Sequence, residues 1–264
     1  MTASPTLQFV EAHPPAGVRE LGTLVLLHAF PLNAHMWDPQ MPLAHSGWHV
    51  LAPHWRGLLA DETPAESFDA MAEAVLELLS SLRVVWPVIG GVSMGGYLAF
   101  ALLRHDPGLA RGLILCDTRA EADPPTAREG RLKMLDLLTQ NGVAAIVDDM
   151  TPRLLGRTTQ ARRPQIAERL RGVALENRAA GVGGVIKAMM NRPDSTSLLP
   201  SITCPTLVMV GAEDGLTPPQ LSRAMHTAIP GSELIEIDET GHLPNLEQPE
   251  RFNATISRFL ASLP

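Results

Sequence analysis

The stretch VIGGVSMGGYLAF, residues 88–100, constrains the fold more than any other part of the chain. A short apolar, β-branched run enters Gly91-Val92-Ser93-Met94-Gly95 and leaves it with apolar residues at helical spacing. A chain that passes from strand to helix this abruptly crowds its own backbone. Glycines two before and two after the serine remove the Cβ atoms that would collide. Such a turn lifts the Ser93 hydroxyl clear of the carboxyl end of a sheet, where open α/β sheets bind their ligands. An N-cap serine in a Gly-rich turn has the same local pattern, so a nucleophile is predicted only if the chain also supplies a base and an acid.

The flanking sequence repeats the strand and helix alternation. Apolar runs at 22–29, 48–54, 84–90, 111–117, 205–211 and 232–238 read as short strands, with 7–12 as a leading edge strand. Helical spacing appears at 68–82, 97–105, 219–228 and 249–263. Near-continuous apolar strands separated by helices predict an α/β fold, a mostly parallel sheet of about seven or eight strands covered on both faces. Between 119 and 200 the alternation stops. Helical segments at about 126–140, 142–150, 163–171 and 174–190, with no convincing strand, predict a helical cap inserted into a core of residues 1–118 and 201–264.

A serine hydroxyl needs an adjacent base, and the base needs an orienting carboxylate. His242, in ETGHLPN between the last predicted strand and the last helix, has the best position of the nine histidines. Asp214, in the loop after the 205–211 strand, gives the chain order Ser, Asp, His. Asp117, at the end of the preceding strand, is the rival acid. Methionines 134, 150, 189 and 190 put flexible thioethers in the cap, where Met189 is a candidate for contact with substrate.

Other readings fall away on composition. At 264 residues with 45% hydrophobic and 19% charged residues, the chain has the composition of a soluble globular protein, and its net charge of −7 with scattered arginines disfavours nucleic acid. The opening MTASPTLQFVEAHPP has no leader-like pattern and no apolar run approaches a bilayer span, so a cytoplasmic protein without membrane partners is expected. Cys116 ends one predicted strand and Cys204 begins another, which puts the sulfurs at opposite ends of a parallel sheet, too far apart to bridge. Gly181-Val182-Gly183-Gly184 follows no strand and reads as a helix bend rather than a nucleotide loop. His45 and His49 lie in a helix-poor stretch without the glutamate of a zinc-protease motif, so no metal is expected.

The ordered Ser93, Asp214 and His242 motifs, with LLHAFPLN at 26–33, resemble the α/β-hydrolase fold superfamily, in its capped esterase, enol-lactonase and haloperoxidase-like branch. The resemblance spans nearly the whole chain. It implies an oxyanion hole made by the backbone N–H groups of Phe30 and Met94, with His28 close to substrate, and no cofactor. Ala29 replaces the usual glycine, and PHWRGLLAD at 53–61 puts His54 where the family usually has aspartate. MWDPQMP at 36–42 is similar to the 3-oxoadipate enol-lactonases. The implied activity is carboxylesterase cleavage of small to medium esters through an acyl-serine. Lactone opening is the alternative, and a ligand-binding protein on the same fold is the alternative of another class. A small-molecule ester or lactone is the expected partner, and for one carrying a carboxylate, Arg56, Arg119 and Arg178 are candidate holders.

Overall fold

The computed structural model describes residues 7–60 and 63–264. Residues 1–6, the start of the opening stretch read for a leader, and residues 61 and 62, including Asp61 at the end of PHWRGLLAD, lie outside them. Seven strands form one sheet: β1 (Phe9–Ala12), β2 (Gly22–Leu27), β3 (Trp48–Pro53), β4 (Val88–Val92), β5 (Gly112–Cys116), β6 (Thr206–Gly211) and β7 (Glu233–Ile237). Their order is β1-β3-β2-β4-β5-β6-β7, with β1 antiparallel to β3 and every other pairing parallel. The five inner strands are buried nearly throughout, which explains why they read as unbroken apolar runs, while β1 and β7 keep partly exposed edges. The run at 84–90 is strand only from Val88, because Trp86 has φ 53° ahead of Pro87.

The segment from β2 to β3 runs through a 3₁₀ stretch, Ala34–Ser46, toward one edge of the sheet. The helices α1 (Phe68–Ser81) and α2 (Met94–His105) carry the chain toward the other edge. Right-handed crossovers put α1, α2 and α7 (Pro219–Ala228) on one face. The 3₁₀ stretch takes the opposite face, where α9 (Pro249–Ala261) packs on it after the short α8 (Pro244–Glu247). The direction of connection therefore reverses between β2 and β4, which opens a crevice beyond their carboxyl ends. His28, Ala29 and Phe30 follow β2 there, and Ser93 follows β4.

Between β5 and β6 the chain leaves the sheet for α3 (Pro125–Leu154), α4 (Arg157–Arg162), α5 (Gln165–Leu175) and α6 (Ala179–Asn191), then a 3₁₀ turn at Thr196–Ser201. α3 is two helical limbs joined at Gly142, whose φ of 76° breaks the helix where the sequence pattern divides. α4 escaped the sequence reading because five polar residues and a single alanine carry no apolar period. α6 is continuous through Gly181, where a Cβ would lie 2.2 Å from the Gly57 carbonyl oxygen, so the glycine admits a close backbone approach. Cys116 and Cys204 are both free thiols. Among the described residues, no helix is long and apolar enough to cross a membrane.

The tightest packing surrounds the β4–α2 turn. A Cβ on Gly95 would sit 2.0 Å from the Leu27 carbonyl oxygen, and one on Gly91 would sit 2.3 Å from the Gly95 carbonyl carbon. Gly172, in α5, has open space around its Cβ position. Gly91→Ala should therefore destabilise the fold by about 3 kcal/mol or more through overpacking. Gly172→Ala should stabilise it by about 0.5–1 kcal/mol through helix propensity. Urea melts of the two variants against the parent check this, and equal midpoints would contradict the packing argument.

Candidate active site

Ser93 occupies φ 54°, ψ −113°, a backbone region that a residue with a side chain enters only when its surroundings hold it there. Its N–H donates to the Cys116 carbonyl at 2.9 Å. Its carbonyl accepts from the Gly96 N–H at 2.9 Å and the Thr118 hydroxyl at 2.7 Å. The turn is thus pinned to β5 on one side and to the first turn of α2 on the other, and the side chain projects from the sheet edge.

His242 meets it from the loop after β7. Its Nε2 lies 2.7 Å from Ser93 Oγ and its Nδ1 lies 2.7 Å from Asp214 Oδ2, a continuous chain of short contacts. The His242 loop is fastened by the buried Glu247 carboxylate, a residue without a sequence signal. Glu247 Oε1 accepts from the Gly241 and Leu243 N–H groups, and Oε2 accepts from the Gly156 N–H at 2.9 Å, across the gap to the inserted helices. The His242 N–H donates in turn to the Leu154 carbonyl.

The two candidate acids sit side by side and titrate apart. Asp214 Oδ1 accepts from the backbone N–H groups of Leu216 and Thr217, and the Thr217 hydroxyl donates to Oδ2 at 2.6 Å. Burial alone would raise its pKa. The charge of His242 and hydrogen bonds from His242, Thr217 and Asp117 outweigh that, holding the carboxyl below its ordinary range. Asp117 goes the other way: burial and then the neighbouring Asp214 charge push it well above that range, so it stays protonated and donates to Asp214. It also accepts from the Gly211 N–H at 2.8 Å. Asp214 is therefore the ionised partner in contact with His242, and Asp117 supports it from behind. An anionic carboxylate accepts only, so the His242 proton sits on Nδ1 and leaves the Nε2 lone pair facing the Ser93 hydroxyl.

A cavity of about 450 Å³ opens above Ser93 and His242. Phe30, Met134, Met150 and Met189 are on its wall, together with Arg119. Three predicted contacts lie elsewhere. His28 is fully buried beneath the cavity, stacked on Trp55 with ring centroids 4.3 Å apart, and burial lowers its pKa to about 3, so it is a neutral core imidazole. Arg56 lines a separate cavity beside Trp55, and Arg178 begins α6, where its N–H donates to the Leu58 carbonyl. The Phe30 and Met94 N–H groups make no hydrogen bond among the described residues, as donors reserved for a ligand would.

Among the described residues, two groups of side chains have metal-binding composition. Asp117, Asp214 and His242 are the hydrogen-bonded set just described. Glu11, His13 and His49 meet on the β1–β3 edge, where His49 Nε2 lies 2.8 Å from Glu11 Oε2 and the two imidazoles stack at 4.2 Å. Two imidazoles and one carboxylate are one ligand short of a closed tetrahedral site.

Comparison with known proteins adds family to geometry. The alpha/beta hydrolase family matches residues 24–255. A thermophilic esterase from Thermogutta terrifontis, solved with malate bound, is 37% identical and superposes with a TM-score of 0.89 over 97% of this chain and 93% of its own. 3-Oxoadipate enol-lactonase 2 of Acinetobacter baylyi is 26% identical over 91% of this chain and 89% of its own. A pimeloyl-[acyl-carrier protein] methyl ester esterase of Neisseria meningitidis is 28% identical over 89% and 92%. By its sheet order, its strand-to-helix turn and this match, the chain belongs to the alpha/beta hydrolase family.

Proposed function

We propose that this protein is a serine hydrolase of small to medium carboxylic esters, with Ser93 as nucleophile, His242 as general base and acid, and Asp214 as the orienting carboxylate. The observation that carries the reading is the unbroken contact chain from Ser93 Oγ through both nitrogens of His242 to Asp214. Ser93 Oγ attacks the ester carbonyl as its proton passes to His242 Nε2, and the negative charge on the carbonyl oxygen is met by the N–H groups of Phe30 and Met94. Collapse breaks the acyl C–O bond, and the alkoxide leaves with the proton from His242. A water molecule then repeats the sequence, giving its proton to His242 and its oxygen to the acyl carbon, which frees the acid and restores Ser93. Asp214 offsets the positive charge that His242 carries in both steps. The route draws on the chain, the substrate and one water.

Residues 119–200 act in this reading as a cap over the core formed by 1–118 and 201–264, closing the cavity around the acyl group. The resemblance to an enol-lactonase favours lactones as a second substrate type, opened by the same attack with the alcohol retained on the product.

Two experiments test the reading. A nitrophenyl ester series from acetate to dodecanoate, with one small lactone, should be turned over by the parent. Ser93→Ala should lower the rate about 10⁴-fold or more.

The two aspartates separate cleanly. Asp214→Asn should lower turnover about 10⁴-fold through the wrong histidine tautomer. Asp117→Asn should keep it within about tenfold, because a protonated carboxyl and an amide both donate toward Asp214. Asp117→Asn should also change stability. A carboxyl whose folded pKa is raised binds its proton in the native state, so it costs stability as pH rises above its unfolded value near 3.9. The variant should gain stability over the parent at neutral pH and lose that advantage below about pH 4. Chemical denaturation at the two pH values reads the difference, and an advantage independent of pH would exclude a protonated Asp117.

A further inference from the structure

On a chain of formal net charge −7, the wall of the cavity above Ser93 carries four cations, Arg119, Arg131, Lys133 and Arg153, against one carboxylate, Asp149. Asp149 is engaged by Arg153, four residues along the second limb of α3. No carboxylate on the wall pairs with the other three. Behind the wall, the buried Asp123 carboxylate receives Arg119 Nη2 at 2.8 Å, Arg131 Nε at 3.1 Å and Arg192 Nη1 at 2.6 Å. Burial opposes ionisation of Asp123, but Arg131 and Arg192 prevail and hold its carboxyl below the ordinary range. Asp123 thus accepts from three guanidiniums at once, of which Arg192 also feels the charge of Asp194. Glu121 lends only its backbone carbonyl, to Arg192, and forms no ion pair among the described residues.

The division of labour among the arginines is legible in their contacts. Arg192 is locked: it also donates to the Met189 carbonyl and lies over the Tyr97 ring at 4.0 Å, and it is not itself on the cavity wall. Arg119 and Arg131 reach the cavity itself, and Arg119 Nη1 and both Nη atoms of Arg131 have no partner among the described residues. Lys133 stands exposed at the rim with no ion pair among the described residues. Surplus positive charge in a half-enclosed, low-dielectric site raises the local concentration of anions, and a guanidinium edge matches the two oxygens of a carboxylate.

We infer that the ester or lactone hydrolysed at Ser93 carries a free carboxylate, received by Arg119 and Arg131 with Lys133 at the entrance. This assignment rests on the hydrolase reading and adds the substrate class. It gives the methionine and phenylalanine wall to the neutral part of the molecule and the α3–Asp123 side to the charge.

Two matched pairs of esters test it. One pair differs on the acid side: 4-nitrophenyl hydrogen glutarate against 4-nitrophenyl valerate. The other differs on the alcohol side: 4-carboxyphenyl acetate against 4-methylphenyl acetate. In at least one pair the charged member should have the higher kcat/KM, by about tenfold, with most of the difference in KM and a preference that shrinks as salt is added. The charged-to-neutral ratio should fall toward one in Arg131→Gln, and also in Lys133→Gln, whose exposed position leaves the packing intact. Ratios near one in both pairs for the parent, or ratios unmoved by either variant, would overturn the assignment. Calorimetric titration of free glutarate into Ser93→Ala reads the subsite without turnover: binding should weaken about tenfold in the added Arg131→Gln background. If no ester is hydrolysed but glutarate binds and the added variant weakens it, the hydrolase reading fails and the anion site stands as a binding site. If esters are hydrolysed through Ser93 but glutarate does not bind and both ratios are near one, the anion site alone falls.

Discussion

The position of the Leu27 carbonyl against the first turn of α2 governs the rest of this structure. That approach leaves no room for a Cβ at Gly95, and Gly91 is closed off in the same way by the Gly95 carbonyl. Because both contacts are backbone to backbone, no side-chain rearrangement can relieve them, so β2, β4 and the start of α2 form a single rigid corner. The corner fixes the distance between the loop that follows β2 and the serine that follows β4. The proposed mechanism requires those two features in register, with the N–H groups of Phe30 and Met94 on one side of the substrate carbonyl and Ser93 on the other. The positive φ at Ser93 is thus sustained by packing on three sides, and its strain is borne by the buried sheet rather than by the loops that carry the histidine and the acid.

Around that corner three buried carboxyl groups do three different jobs, and their surroundings decide which. Asp214 accepts from two backbone N–H groups and one hydroxyl as well as from His242, enough donors to keep the charge in a dry site. Asp117, one strand away, faces that charge with few donors and keeps its proton. Glu247 accepts from three backbone N–H groups and braces the histidine loop against the turn at Gly156. Removing charge from the first would strand the imidazole, whereas the second is already neutral. The same residue type therefore supplies an ion, a hydrogen-bond donor and a strut.

The sequence carried some of this openly and hid the rest for physical reasons. The sheet was legible because strands buried on both faces must be continuously apolar, and the Ser93 turn because backbone crowding leaves a glycine signature. Chain order placed Asp214 and His242 at the carboxyl edge, but the choice between Asp214 and Asp117 depended on hydrogen-bond donors from Leu216 and Thr217, which no spacing rule specifies. His28 looked like a site residue because it lies two positions before Phe30, but it follows the end of β2 and its ring is buried against Trp55 rather than on the cavity wall. Arg131 and Lys133 carry no sequence signal that sets them apart from the other polar positions of a helix. Only the bend at Gly142, and the docking of α3 against α6, turns that face toward Ser93.

Those inserted helices also explain how a polar wall can be tolerated over a catalytic cleft. They are tied to the sheet by polar contacts: Glu213 accepts from the Thr158 N–H and hydroxyl, and Glu247 accepts from Gly156, so the second limb of α3 and α4 are fastened close to the acid and histidine loops. The first limb is instead held through Asp123 and its three arginines to Arg192 at the end of α6. A carboxylate that gathers three guanidiniums is poorly balanced on its own, since two like charges remain in a region with little water to screen them. On the proposed reading, an anion held by Arg119 and Arg131 would offset that imbalance, so the charge of the substrate and the packing of α3 against α6 are electrostatically linked.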